Sequence, residues 1–221
     1  MRGLVKRCEA LGVRIVENTR VERFLRTGDA VTLATTADGG EYGGDVFVVA
    51  AGVWSGPLSA KLGVPMPIRP GKGYSIDYSP APVALRTTLT LEDARVAVTP
   101  LNGMVRLAGT MEFGGFDESI NAVRVDAIRR AAEAAFTDWG NPVGEAAPWA
   151  GLRPMTPDGL PIIGRLGPLR NAFIASGHGM LGLTLAPATA EIVTDMVVHE
   201  RMPLNASAVS PNRFLSRRTR G

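Results

Sequence analysis

An α+β fold, a mostly antiparallel sheet flanked by helices, is predicted by three features of the chain. Two hairpin signals, Asp38-Gly39 and Asn102-Gly103, each join stretches rich in β-forming residues. Apolar residues recur at helical spacing only in separated segments: near the start, after residue 119, and over the last long stretch. Between them lies Gly63-Val64-Pro65-Met66-Pro67-Ile68-Arg69-Pro70-Gly71, a proline-rich passage whose composition suits a crossing between layers, so a boundary is expected near 64–70. The 221 residues, 45% hydrophobic and 20% charged, suffice for one large core or two modest ones and exclude disordered, collagen-like and coiled-coil classes.

Leu4, Val5, Cys8 and Leu11 share one helical face, and Gly12 stands where a terminator belongs. Val13 to Val16 and Val21 to Leu25 read as short strands, and Val31 to Thr35 is expected to pair with Tyr42 to Val49. The run Asp45-Val46-Phe47-Val48-Val49-Ala50 is continuously apolar after its first residue, as in a strand covered on both faces, and ends at Ala51-Gly52. A short helix is expected around Trp54 to Leu62. Strands follow at Tyr74 to Tyr78, Leu85 to Leu91, Val96 to Thr99 and Val105 to Thr110. Asp117-Glu118-Ser119 looks like a cap for a helix carrying Ile120, Val123, Ala127, Ile128, Ala131 and Ala135, stopped by Gly140-Asn141-Pro142. Residues 149–165 read as irregular, Ala172 to Ser176 as a strand, and Leu183 to His199 as a helix before Met202-Pro203-Leu204-Asn205.

The net charge of +3 resides in the tail: without Arg217, Arg218 and Arg220, basic and acidic residues are equal at 21. Such a tail suits a frayed, solvated end better than a nucleic-acid grip, and Trp54, Trp139 and Trp149 are too scattered for a base-stacking surface. The single cysteine, Cys8, forms no internal disulfide, which points to a reducing, cytoplasmic setting. No run of about 20 apolar residues and no signal peptide is visible, so membrane contact is expected to be peripheral at most, on the inner face. His178, His199 and Cys8 lack metal-ligand spacing, and no Ser or Cys has an evident catalytic partner.

Two segments carry chemistry. Gly177-His178-Gly179-Met180-Leu181-Gly182 spells G-x-G-x-x-G between a strand and a helix, but no second parallel strand follows, so a complete dinucleotide fold cannot close here. What remains is a turn whose backbone N–H groups can approach an anionic or electron-rich ligand at a helix start, or glycines that only permit close helix-on-strand packing. His178 fits shape or hydrogen bonding better than catalysis. In Gly151-Leu152-Arg153-Pro154-Met155-Thr156-Pro157-Asp158-Gly159, an arginine lies on a stiff backbone. Its fork is either open to a bidentate carboxylate contact or paired with Asp158 to close the loop.

Taken in order, Val48-Val49-Ala50-Ala51-Gly52-Val53-Trp54-Ser55, Lys72-Gly73-Tyr74-Ser75, Gly151-Leu152-Arg153-Pro154 through Ile162-Ile163-Gly164, and Gly177-His178-Gly179 through Leu183-Thr184 resemble the FAD-dependent amino-acid oxidase and dehydrogenase superfamily. The bacterial D-amino acid dehydrogenases resemble it most, down to Asn212-Arg213-Phe214. The resemblance implies an incomplete FAD-binding, glutathione-reductase-like domain over residues 1–66 and a substrate domain over 67–150. Residues 151–205 would return to the FAD side, leaving a tail over 206–221. It implies that Arg153 clamps the substrate carboxylate and that Gly177, His178, Gly179, Met180, Leu181, Gly182, Leu183 and Thr184 wrap the isoalloxazine edge. Ala51, Gly52 and Trp54 would lie along the adenosine side. It further implies non-covalent FAD, hydride transfer from an amino acid to the flavin without a protein acid or base, and a quinone or other electron acceptor. The family's N-terminal βαβ unit precedes what this chain matches, so a complementing polypeptide carrying it is an expected partner. Two alternatives stay open: a silent module of a flavoprotein complex, and a glycine or sarcosine oxidase-like enzyme.

Overall fold

The proline-rich crossing leads straight into the longest strand. The computed structural model, which describes residues 2–140, 148–201 and 206–215, places Arg69–Tyr78 (β5) inside an antiparallel sheet. Its other members are Leu89–Leu91 (β6), Val96–Leu101 (β7), Met104–Glu112 (β8) and Trp149–Met155 (β9), in the order β6-β7-β8-β5-β9. Burial alternates along β7 and β8, as the two-residue period of a half-covered sheet requires. The buried face meets the helix Ala122–Ala135 (α3), so that Tyr74, Ile76, Val98, Leu107, Ile128 and Ala132 close one core.

Several expectations change here for physical reasons. Only Leu89–Leu91 of the expected strand 85–91 pairs. The cap of α3 is Asn121, whose Oδ1 accepts from the N–H groups of Val123 and Arg124, and not the earlier acidic cluster. Asp117 instead accepts from the Ser119 N–H and joins an ion pair with Lys72. The helix ends at Ala135, before Gly140; Asn141 and Pro142 lie outside the described residues. The supposedly irregular stretch holds β9 and a second strand, Ile162–Arg165 (β10). Pro154 disguises β9, but this is the edge strand of its sheet, where a proline leaves no central ladder bond unmade.

A second sheet has the order β10-β11-β4, with Ala172–Ser176 (β11) antiparallel to β10 and parallel to Phe47–Val49 (β4). Against it pack the short helix Ser55–Lys61 (α2) and the long helix Gly182–Val198 (α4). Val49, Leu62, Met66, Ile68, Ile162 and Ile174 form its core. A third sheet, Val21–Thr27 (β1), Ala30–Thr36 (β2) and Glu41–Gly43 (β3), contains the Asp38-Gly39 hairpin. Pairing with β2 stops at Gly43, and the apolar run beyond it departs to the parallel sheet, where Val49 is buried but Val46 and Val48 stay exposed, so the expected cover on both faces is not met among the described residues. Buried Asn171 joins the two sheets through both atoms of its amide: Val31 N–H donates to it, and it donates to the carbonyls of Val31 and Asp45.

Val13 to Val16 forms no strand. The helix Arg2–Ala10 (α1) buries none of its side chains, and Leu4, Val5 and Leu11 face solvent. Among the described residues β4 is paired along one edge only, and none of the helices is long and apolar enough to cross a membrane. Met202 to Asn205 and the basic tail lie outside the described residues.

Candidate active site

Because β4 and β11 run parallel, their carboxyl ends emerge side by side, the edge where open α/β sheets place ligands. β4 delivers Ala51-Gly52 and β11 delivers Gly177, and Ser176 Oγ donates to the Gly52 carbonyl at 2.8 Å, which pins the two exits together. Ser55 Oγ, buried, accepts from the Ala51 N–H at 3.0 Å. Gly52, Gly177 and Gly179 have φ of 54°, 81° and 56°, values costly for residues with a side chain.

The two readings of the glycine turn divide by residue. A methyl at Gly177 would meet Thr156 Cγ2 at 2.6 Å, so close packing explains that glycine. At Gly52 nothing lies within 4 Å, and at Gly179 only Met155 does, at 3.6 Å and beyond; these two border open space. The first turn of α4 follows with no side-chain cap on its N–H groups, and Met180, Leu181, Leu183 and Thr184 are exposed around it. The turn therefore presents unpaired backbone donors inside an apolar rim, an arrangement suited to a planar, electron-rich group. His178 Nε2 is 2.9 Å from Thr189 Oγ1, and burial lowers its pKa. It ties the turn to α4, in keeping with its reading as a hydrogen-bonding residue. Trp54 directs its ring at Phe116, centroids 6.4 Å apart, on the side of the five-stranded sheet.

Arg153 is brought to the same place by β9. The carbonyl of the next residue, Pro154, accepts from the Gly179 N–H at 3.0 Å, so the arginine strand and the glycine turn are directly bonded. The guanidinium occupies space that exists only because residue 73 is glycine; a Cβ there would coincide with it. Its nearest acceptor is the Thr110 carbonyl, 3.4 Å from Nη1, with Met111 Sδ at 3.8 Å. Thr110 has φ 65°, a strained setting for a β-branched residue, at a bulge where Lys72 to Tyr74 on β5 face Glu112 to Gly109 on β8. The extra residue turns that carbonyl toward the arginine.

The choice between a free fork and an Arg153–Asp158 pair is resolved by Arg213, which takes Asp158 through Nε and Nη2 at 2.7 and 3.2 Å. Among the described residues no carboxylate lies within ion-pair distance of Arg153, and burial alone pulls its pKa down. A partly buried guanidinium with one weak acceptor is an anion site in waiting. Beside it Lys72, almost wholly buried, pairs with Glu112 at 2.8 Å and Asp117 at 2.9 Å and raises no vacancy. Glu112 and then Asp117 raise the Lys72 pKa, while the Ser119 backbone and Lys72 hold Asp117 down at about 2. Thr110 and Arg213 carried no sequence signal as site residues, since a bulge carbonyl and a contact spanning 55 positions leave no local pattern.

Comparison with known proteins shows the family of the chain. Residues 1–196 match the family described as FAD dependent oxidoreductase, and the chain belongs to that family. It is 36% identical to the D-amino acid dehydrogenase of Bradyrhizobium diazoefficiens over 97% of this chain and 51% of that protein. It is 39% identical to that of Vibrio vulnificus over 86% of this chain and 45% of the relative. The chain thus spans about half the length of the curated relatives it matches. Among solved structures, glycine oxidase from Geobacillus kaustophilus is similar at a TM-score of 0.82 with 27% identity, covering 96% of this chain and 56% of that one. L-proline dehydrogenase from P. horikoshii, at 0.84 and 22% identity over 97% of this chain and 59% of its own, shares the fold.

Proposed function

We propose that this chain supplies the substrate-gripping and flavin-ring half of an FAD-dependent enzyme that oxidatively deaminates amino acids, D-amino acids by its relatives' names. One observation carries it: a partly buried guanidinium without a carboxylate partner among the described residues, one residue from a carbonyl bonded to the glycine turn. Arg153 holds the substrate carboxylate by a two-pronged contact and so fixes which face of the α-carbon is presented. Gly52, Gly179 and the uncapped start of α4 hold FAD non-covalently, with Ala51 and Trp54 along its flank. FAD, when bound, supplies the acceptor for the two electrons removed from the substrate. The N–H groups of Gly182, Leu183 and Thr184 stabilise negative charge accumulating beside them. His178, engaged with Thr189, positions the turn and moves no proton.

In this reading residues 67–150 form the substrate domain, and residues 1–66 with 151–205 form the FAD side. The remainder of the FAD domain covers the open edge of β4, where Val46 and Val48 are exposed beside an apolar recess of about 290 Å³ against α4. The test combines this chain with a polypeptide carrying the N-terminal half of a D-amino acid dehydrogenase. Yellow protein that bleaches with D-amino acid and passes electrons to a quinone or to oxygen supports the proposal; the more effective acceptor separates dehydrogenase from oxidase. Co-elution without bleaching would favour a silent module instead, a reading that the same open edge supports.

A further inference from the structure

The last helical turn, Asn212–Leu215 (α5), reaches back to the turn that leaves the arginine strand. Arg213 donates through Nε and Nη2 to the two oxygens of Asp158, through Nη2 also to the Leu160 carbonyl at 2.9 Å, and through Nη1 to the Ser210 carbonyl at 3.0 Å. Its guanidinium lies 4.3 Å from the Phe214 ring centroid, and Phe214 and Leu215 are packed against the core of the parallel sheet. Only 17% of the Arg213 side chain is exposed. Four directed bonds and a stacked ring form a fork that a lysine cannot reproduce.

The clamped turn is contiguous with the site. Asp158 Oδ1 accepts from the Leu160 N–H at 3.1 Å, and Thr156 Oγ1 donates to the Leu160 carbonyl at 2.8 Å. The Thr156 methyl fills the space beneath Gly177, and two residues earlier the Pro154 carbonyl takes the Gly179 N–H. Residues 156–160 are therefore held between α5 on one side and the glycine turn on the other.

We propose that Arg213 is a positioning residue: by fixing the Asp158-Gly159 turn it sets the spacing between Arg153 and the Gly177–Gly179 amides. What is being spaced rests on the function proposed above; the clamp does not. Hydrogen exchange on the chain alone tests the clamp without flavin or turnover. Arg213→Gln should speed exchange at least tenfold in peptides covering 156–160 and 177–181 and leave β5 and β8 unchanged. Arg213→Lys, the gentler change, should fall between. In the assembled flavoprotein the same variant should raise KM for the amino acid about tenfold while kcat stays within twofold, and adding Asp158→Asn should raise it no further, because the two residues act as one unit. Unchanged exchange at 177–181, or KM effects that simply add, would overturn the assignment. A wild-type assembly that never binds flavin would instead sink the proposed function and leave the exchange result standing.

Discussion

The five-stranded sheet and the parallel sheet are built from similar residues but finished to different degrees. In the first, α3 covers the apolar face, Tyr74, Ile76 and Leu107 are sealed from solvent, and its ion pairs close on themselves. In the second, β4 keeps a bare edge, Val48 and Leu183 are 43% and 80% exposed, and the first turn of α4 has no cap. Among the described residues one region seals its core and pairs its charges, and the other leaves apolar side chains and helix-start N–H groups open. Arg153 belongs to the first sheet, its guanidinium against Gly73 and the Thr110 carbonyl, while the carbonyl of the next residue is bonded to the glycine turn of the second.

That contrast predicts unequal responses to mutation. Leu107→Ala should cost about 2–5 kcal/mol in denaturant unfolding, since it empties a sealed core position. Val48→Ala in the chain alone should cost less than about 0.5 kcal/mol, as at any exposed site. Equal losses would erase the distinction, and a larger Val48→Ala effect once the complementing half is present would sharpen it.

Gly73→Ala should cost less than about 1 kcal/mol, because its methyl would displace only the Arg153 guanidinium, the far end of a flexible side chain. Its second consequence is functional: the displaced fork should weaken carboxylate binding even at temperatures where the fold survives. Gly52→Ala should cost about 1–2 kcal/mol for its positive φ alone, with no packing penalty. Thermal unfolding of the two variants, with a carboxylate titration, separates them.

Acid should reach the finished sheet through its ion pairs. Arg106 holds the Asp77 carboxylate below its usual range with two bonds of 2.7 and 2.8 Å. A depressed carboxylate contributes stability above its unfolded pKa of about 3.9 and loses it as pH falls through the folded value. For Asp77 the loss should fall below about pH 4, and for Asp117, held down at about 2, between about pH 4 and pH 2. Asp77→Asn should flatten this slope by no more than about 1 kcal/mol, since Arg106 is partly exposed. An unaltered pH profile of Tm would remove this pair from the acid response.

Much of this architecture is legible in the chain. The alternation in 96–110 announces β7 and β8, and β11 begins and ends where its residues suggest, whereas the apolar run at Val46 gives a strand whose Val48 stays exposed instead of one covered on both faces. The glycine turn and Arg153 are visible as unusual backbone around unusual residues. What stays hidden depends on contacts between distant positions. β9 reads as loop because Pro154 looks prohibitive until its edge position is known. Whether Arg153 is free or paired with Asp158 turns on Arg213, whose place in Asn212-Arg213-Phe214 gives no sign of a partner 55 positions away. Val13 to Val16 has the composition of a strand but joins no sheet among the described residues.

The central claim is that Arg153 grips a carboxylate beside whatever the glycine turn holds. Titrating acetate into the flavin-loaded assembly and following the visible absorbance tests it most directly. A saturable perturbation for the native arginine, shifted to about tenfold higher acetate in Arg153→Lys, a loss of about 1.4 kcal/mol, is the predicted result. Superimposable titrations of the two proteins would contradict it.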